Sequence, residues 1–294
     1  MKSGVCCKLC GNVQVTFLYK SRRYGFQVGR CVGCGLTFVL DRITEEKVKE
    51  MYNDEQKFNR FSELMSNATV RDRHRRALRE IRHFLPDSSI PTRLFDIGAG
   101  SGEFLNQAHM AGFEVYGNEI SEAAAHVARE RYNISLSLLP LAQDPRLAFF
   151  DSITMWGLLE HVLDPLSVLK DAFRLLHGGG ILYIYTPAWC QYDSIGLGLA
   201  LLSGWTRLLD RRITLAHLQI FSIEAIRKTL ATVGFELCRM DVVCEYNLPV
   251  TTYLESLGVP TSVRNGLAAA LEQLIDRGLF FRNNMRVFCR KPSV

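Results

Sequence analysis

The sequence predicts an α/β protein: a doubly wound, mostly parallel sheet with a small cysteine-bearing module in front of it. Two observations carry this. From Arg93 onward, short apolar runs alternate with helical segments, the order that parallel crossovers produce. Before Arg93, two Cys-x-x-Cys pairs stand in a stretch too short to bury a core of its own.

Composition sets the frame. A chain of 294 residues holds one large domain and an appendage. Hydrophobic residues at 48% and charged residues at 22% describe a globular chain, not a disordered one. The net charge of +5 is spread along the sequence, so it admits an anionic partner without requiring one. Met1–Cys10 lacks the apolar core of a signal peptide. The longest apolar stretch, 195–205, is interrupted by Gly196, Gly198, Ser203 and Gly204 and falls short of the ~20 residues a membrane span needs. A cytoplasmic location is the expectation, and there paired cysteines point to metal before disulfides.

Taken in order, residues 1–40 form the module, with strand-like text at Gln14–Tyr19, and 41–91 form a helical linker that ends in the breakers Pro86–Pro91. The main domain covers 92–294. Its first strand, Arg93–Ile97, runs into a glycine turn and a helix from Glu103 that Gly112 stops. The strand Phe113–Gly117 and a helix capped by Ser121 follow. Asp151–Trp156 reads as a buried strand. Asp164 and Pro165 suit the N-cap and first turn of a helix ended by Gly178–Gly180. After the strand Ile181–Tyr185, the loop 187–213 is long and rich in Gly, Leu and Trp, the pattern of a lid. Ser222 opens a helix to Gly234, and strands Phe235–Val243 and Arg286–Arg290 close the domain. Between them, 246–283 reads as added helices that complete an acceptor pocket or a homodimer face.

Cys7, Cys10, Cys31 and Cys34 form two knuckles 20 residues apart, each offering two thiolates on a tight turn eased by Gly11 or Gly35. Two knuckles complete a tetrahedral four-sulfur site, so a structural zinc is expected, with redox cysteines as the alternative. Such a closed site leaves no open position for chemistry. Cys6 competes with Cys7, but Cys7 has the two-residue gap. Cys190, Cys238, Cys244 and Cys289 read as small core residues.

In Asp96-Ile97-Gly98-Ala99-Gly100-Ser101-Gly102, glycines let the backbone approach a ligand at a helix N-terminus. Glu103 stands where the dinucleotide fingerprint has its third glycine, and its carboxylate repels a pyrophosphate. Glu119, at the tip of the next strand, can accept hydrogen bonds from ribose hydroxyls. Leu94–Gly102, Tyr116–Glu119, Phe150–Trp156 and Leu176–Leu182, in this order, resemble successive motifs of the class I S-adenosylmethionine methyltransferases. That resemblance implies a seven-stranded Rossmann-like sheet, with Asp96, Gly98, Gly100 and Gly102 at the methionine end of the cofactor and Glu119 at its ribose. It also carries Asp144 to the adenine side and Trp156 to the cofactor side.

Past the fourth strand, His161 is the candidate general base, because imidazole titrates near neutrality; local packing is the alternative. Glu160 would orient His161 or help hold a divalent ion. His217, in Ala216–Ser222, resembles a histidine that relatives place facing the acceptor. The knuckles and the helix leading to Tyr52 resemble the N-terminal extension of a methyltransferase group acting on sugars, glycans and secondary metabolites. The expected reaction is therefore methylation of a small-molecule hydroxyl. The apolar lid suits a hydrophobic or carrier-linked acceptor. The further C-terminal domain of the group's longer sugar C-methyltransferases does not follow, which points away from carbon.

Two rivals stand beside this reading. An RNA methyltransferase would use Lys20, Arg22 and Arg23 beside Tyr24 and Phe26, and the arginine run from Arg71 to Arg82. Neither an Asn-Pro-Pro-Tyr motif nor a reactive-cysteine motif accompanies them, and a solvated helix face explains the run equally. A non-catalytic cofactor-binding protein is the second rival. The intact Asp96, Gly98, Gly100 and Glu119 argue against it.

Overall fold

The computed structural model describes residues 5–44, 46–48, 67–85, 92–145, 149–245, 249–277 and 282–293. Residues 49–66 of the linker, the breakers at 86–91, and 246–248 and 278–281 of the C-terminal insertion lie outside these.

Strands β1 (Val15–Lys20), β2 (Gln27–Cys31) and β3 (Thr37–Val39) form the ribbon, and helix α1 (Ala68–Phe84) follows, capped by Asn67. The large domain then runs β4 (Thr92–Ile97), α2 (Glu103–Met110), β5 (Phe113–Asn118), α3 (Glu122–Tyr132), β6 (Phe150–Trp156), α4 (Pro165–Leu175), β7 (Leu176–Pro187) and α5 (Gln191–Ser203). It closes with β8 (Gln219–Ile220), α6 (Ile223–Val233), β9 (Glu236–Val243), α7 (Val250–Ser256), α8 (Thr261–Asp276) and β10 (Asn284–Arg290). Ser121, Asp164 and Ser222 each accept a bond from the backbone N–H three residues on, so the expected caps all start their helices.

The large sheet has the order β5-β4-β6-β7-β10-β9; its first four strands are parallel, and β10 is antiparallel to both neighbours. Parallel strands covered on both faces read as continuous apolar runs, and the stretch Ile181–Pro187 of β7 is buried throughout. The resemblance implies seven strands, whereas the described residues form six. The seventh position carries an isolated parallel bridge, Asn118 to Ser137. Ser137 makes two backbone bonds to its neighbour strand, and Pro140 then turns the chain into a short 3-10 turn before pairing can spread.

Two boundaries differ from expectation. The glycines at 178–180 belong to β7 rather than ending α4; Gly179 and Gly180 pair with Lys291 beyond β10. The expected loop 187–213 is largely helical. The Cys190 N–H donates to Asp193 to start α5, and Gly204 ends it in a left-handed conformation at φ +68°. Of the four unpatterned cysteines, Cys190 and Cys289 are buried as expected, Cys244 is half-buried, and Cys238 is exposed, because β9 is an edge strand.

The ribbon is not a free appendage. Its sheet has the order β1-β2-β3-β8, so its fourth strand comes from the large domain. Cys7, Cys31, Cys34, Leu36 and Phe38 share one core with Phe221, Ala225 and Ile226. Tyr19, Phe26 and Val28 share another with Ala200, Leu209 and Ile213, so α5 is wedged against the ribbon. Among the described residues, no helix is long and apolar enough to cross a membrane.

Candidate active site and metal centre

Strand β4 delivers Asp96 to the start of the glycine turn. Gly98 and Gly100 adopt φ of +71° and +54°, which L side chains avoid. At Gly98 a Cβ would sit 2.7 Å from Leu158; at Gly100 it would meet nothing within 4 Å. The open space at Gly100 therefore faces a region a ligand can enter. The turn is braced from β5: Gly98 N–H donates to Asn118 Oδ1 (3.3 Å), Ala99 N–H to the Asn118 carbonyl (2.9 Å) and Gly100 N–H to Glu119 Oε2 (2.9 Å). Ser121 N–H holds Glu119 Oε1 at 2.9 Å. Two backbone amides thus aim one buried carboxylate and leave its remaining lone pairs for ligand hydroxyls. Burial raises the Glu119 pKa, and those same amides oppose the rise.

Asp96 is buried, accepts from Thr154 Oγ1 at 2.6 Å and has no cationic partner among the described residues. Burial, opposed by the Thr154 bond and reinforced by the Glu119 charge, pushes its pKa up to about 8. An acid held this way fits a site completed by a ligand cation, and the methionine ammonium of S-adenosylmethionine is such a group. In the free protein the folded state keeps a proton that the unfolded chain has lost between pH 3.8 and about 8, so Asp96 contributes less stability as pH rises through that window. An arriving ammonium favours the carboxylate. Calorimetric titration with S-adenosylmethionine at pH 6.5, in buffers of different ionisation heat, should show about one proton released, and Asp96→Asn should abolish it. Binding without proton release would mean that Asp96 is already ionised.

Asp144 is buried at the end of the 3-10 turn, where Arg174 clamps its carbonyl oxygen (2.9 Å). The Trp156 indole turns into the packed layer under α1 and α2, with ring centroids 4.6 Å from His74 and 5.1 Å from Phe104. Its Nε1 has no hydrogen-bond partner among the described residues.

Beyond β6, Glu160, His161 and His217 converge. Glu160 is 3% exposed, accepts from Thr186 Oγ1 at 2.9 Å and lies 3.9 Å from His161 Nε2. His161 Nδ1 stands 2.9 Å from the Ala216 carbonyl oxygen, which only accepts. Nδ1 therefore carries the proton of the neutral ring, and the unprotonated Nε2 is the nitrogen next to Glu160. The His217 ring packs edge-on at 4.6 Å and bonds to the Arg212 backbone. Burial lowers both imidazoles to about 4, with the His161 charge adding to the effect on His217, and raises Glu160. Both rings are neutral at physiological pH. The three residues offer ligand atoms within 4.8 Å of one another, a set that also suits a divalent ion.

Several contributors left only faint sequence signals. Asn118 braces the turn and was visible only as the neighbour of Glu119. Gln219 ties the His217 segment to β6, its Nε2 donating to the carbonyls of Leu159 (2.6 Å) and Val162 (3.0 Å). Leu218 N–H adds a bond to the Glu160 carbonyl at 2.8 Å.

In the ribbon, Cys7 Sγ stands 3.6 Å from Cys34 Sγ and Cys10 Sγ 3.5 Å from Cys31 Sγ, with all four within 4.8 Å of one another. Four sulfurs at ~2.3 Å from a tetrahedral zinc stand about 3.8 Å apart, so the set fits. Gly11 and Gly35 close the two knuckles through N–H bonds to the Cys7 and Cys31 carbonyls. Cys6 is exposed and outside the set.

Several of the features offered for RNA binding are used internally. Phe26 is buried against Tyr24 in the ribbon core. Arg73 is buried on Glu245 (2.8 Å), Arg76 joins the same carboxylate, and Arg82 bonds the Ala111 carbonyl.

A family model described as a methyltransferase domain matches residues 70–239. A ubiquinone biosynthesis O-methyltransferase of Alkalilimnicola ehrlichii is 34% identical over 98 residues, which are 30% of this chain and 38% of that protein. The chain therefore spans well under half the length of that curated relative. Phosphoethanolamine N-methyltransferase 2 of Haemonchus contortus, solved with S-adenosyl-L-methionine, superposes with a TM-score of 0.58 at 14% identity, over 87% of this chain and 62% of that one. Geranyl diphosphate C-methyltransferase of Streptomyces coelicolor A3(2) superposes with a TM-score of 0.53 at 15% identity, over 84% and 97%. At such identities the two structures share the fold alone.

Proposed function

This chain belongs to the methyltransferase family whose domain spans residues 70–239, and from that membership we propose that it moves a methyl group from S-adenosylmethionine to a hydroxyl of a small sugar-, glycan- or secondary-metabolite-type acceptor. A structural zinc in the four-sulfur site belongs to the same reading. The relatives named as ubiquinone biosynthesis O-methyltransferases support a small acceptor and oxygen as the methylated atom.

The observation that carries the hydroxyl acceptor is the neutral His161 ring, its Nδ1–H committed to Ala216 and its unprotonated Nε2 3.9 Å from the buried Glu160. Methyl transfer is an in-line displacement, and the bound cofactor supplies the electrophilic methyl carbon. What remains for the protein is to align the acceptor oxygen and remove its proton. His161 Nε2 takes that proton, and Glu160 stabilises the imidazolium that results. Glu119, aimed by the Gly100 and Ser121 amides, holds the ribose of the adenosyl moiety, and the open side of the glycine turn lets the cofactor approach.

His161→Ala is expected to lower kcat by about 100-fold or more while the S-adenosylmethionine Kd stays within twofold, the range for loss of a general base. The assay supplies methyl-labelled S-adenosylmethionine with a panel of sugars, glycosides and polyphenols, and looks for label in an alkali-stable ether. Label in bulk tRNA would move the chain to the RNA reading. A rate restored by added Mg²⁺ would shift the role of the cluster from base to metal ligand.

A further inference from the structure

A cavity of about 310 Å³ lies apart from the glycine turn, between the ribbon's first hairpin, the segment after α5 and the end of α7. Its wall includes Arg22, Arg23, Arg207, Arg211, Trp205 and Asp210. That volume sits at the lower end of the ~300–1,000 Å³ typical of ligand pockets.

Four guanidiniums face one carboxylate here. None of the four forms an ion pair among the described residues. Two of them are held by backbone instead: Arg207 Nη2 donates to the Ser256 carbonyl and Arg211 Nη1 to the Tyr253 carbonyl, both at 3.3 Å. Arg22 passes so near Gly204 that a Cβ there would lie 2.4 Å from its Nη2. The left-handed glycine that ends α5 therefore also makes room for this guanidinium. Burial lowers the Arg211 pKa; Tyr192 and Tyr253 oppose the shift, and the neighbouring Arg207 and Arg23 charges add to it.

Among the described residues, two atoms buried behind the wall, Arg211 Nε and Asp210 Oδ1, have no hydrogen-bond partner. Asp210 is 4% exposed, and its other oxygen accepts from Thr206 Oγ1 at 2.6 Å. Arg22, Arg23 and Arg207 are exposed and Arg211 is half-buried, so four like charges gather around one opening, and an anion bound there relieves their repulsion. Arginine forks match phosphate oxygens two at a time.

The cavity also connects to the chemistry. Arg211 ends the 3-10 turn Leu209–Arg211, and the next residue, Arg212, bonds His217 through its backbone and Asp193 through its side chain at 2.9 Å. Helix α5, which leads into the cavity, exposes Ile195, Leu199, Leu201 and Leu202.

We propose that this cavity binds the phosphoryl or diphosphoryl group of a hydroxyl-bearing acceptor. The acceptor role rests on the methyl-transfer reading; the anion site stands on its own geometry. The phosphoryl group reaches the cavity either on a soluble molecule or on a lipid-linked one.

Calorimetric titration of the full zinc-loaded chain with pyrophosphate in 150 mM NaCl tests the site. Saturable binding is expected. Arg23→Gln, whose side chain holds no backbone group, and Arg211→Gln should each weaken it at least tenfold, and Arg129→Gln, on α3, should leave it unchanged. Parallel titration with S-adenosylmethionine reports on the cofactor site alone, so loss of one binding event is distinguishable from loss of the other. Absence of pyrophosphate binding, or binding indifferent to Arg23→Gln and Arg211→Gln, overturns the proposal. So does tRNA binding that those substitutions abolish without any pyrophosphate binding. Flotation with phosphatidylglycerol vesicles assigns the source: arginine-dependent flotation, added to pyrophosphate binding, indicates a lipid-linked phosphoryl group, and pyrophosphate binding alone a soluble one.

Discussion

Glu119→Ala should raise the dissociation constant for S-adenosylmethionine by about two to four orders of magnitude. A carboxylate that accepts two ribose hydroxyls makes two charge-assisted hydrogen bonds, each contributing roughly 1.5–3 kcal/mol. Tenfold in affinity corresponds to about 1.4 kcal/mol. The substitution also frees Gly100, whose N–H donates to Glu119 Oε2 at 2.9 Å, so the turn loses a brace as the ligand loses a partner. Glu119→Gln keeps an acceptor but loses the charge, and is expected to fall between wild type and alanine. Thermal stability of the cofactor-free chain should barely change, because removing a buried carboxylate offsets the two lost backbone bonds. A Kd within threefold of wild type would remove Glu119 from the cofactor site.

Loss of the zinc proposed for the ribbon should damage catalysis more than cofactor binding. Elemental analysis is expected to find one zinc per chain. Its removal, or Cys34→Ser, should unfold β1–β3, since metal ligation supplies most of the folding free energy of so small a module. The damage spreads because β3 pairs with β8: Thr37 stands opposite Ile220, and Val39 N–H donates to the Leu218 carbonyl at 3.0 Å. Leu218 is adjacent to His217 and bonds Glu160. The Cys34 carbonyl also accepts from Ser222 Oγ, the cap of α6. Turnover is expected to fall at least tenfold, while the S-adenosylmethionine Kd stays within about threefold, because the glycine turn touches none of these residues. Full turnover in a zinc-free chain would show that the ribbon does not position His217.

Local text was enough wherever a feature depends on neighbours in sequence. The knuckles were legible because both ligands of a pair sit on one turn, as were the caps at Ser121, Asp164 and Ser222, because a cap acts on the N–H groups of its own helix. The glycine turn and Glu119 were legible because a parallel crossover fixes their separation. Periodicity misled where glycine carries two meanings. At 178–180 glycines read as a helix stop but lie in a strand, since the chain beyond β10 supplies their partners. In 187–213 glycines read as a loop, yet Gly196 and Gly198 sit inside α5, where Gly196 allows Leu209 to pack closely.

By itself, then, the sequence determined the α/β order, the four-sulfur site, the glycine turn with its acidic partner, and the identities of Glu160, His161 and His217. These are statements about short separations, for which chain geometry leaves little choice. Only the tertiary structure decided that the ribbon borrows β8 from the large domain, that His161 presents Nε2 and not Nδ1 to Glu160, and that Arg22 and Arg23 meet Arg207 and Arg211 around one cavity. Each of those joins residues tens to nearly two hundred positions apart, and packing, not local preference, sets where such residues meet.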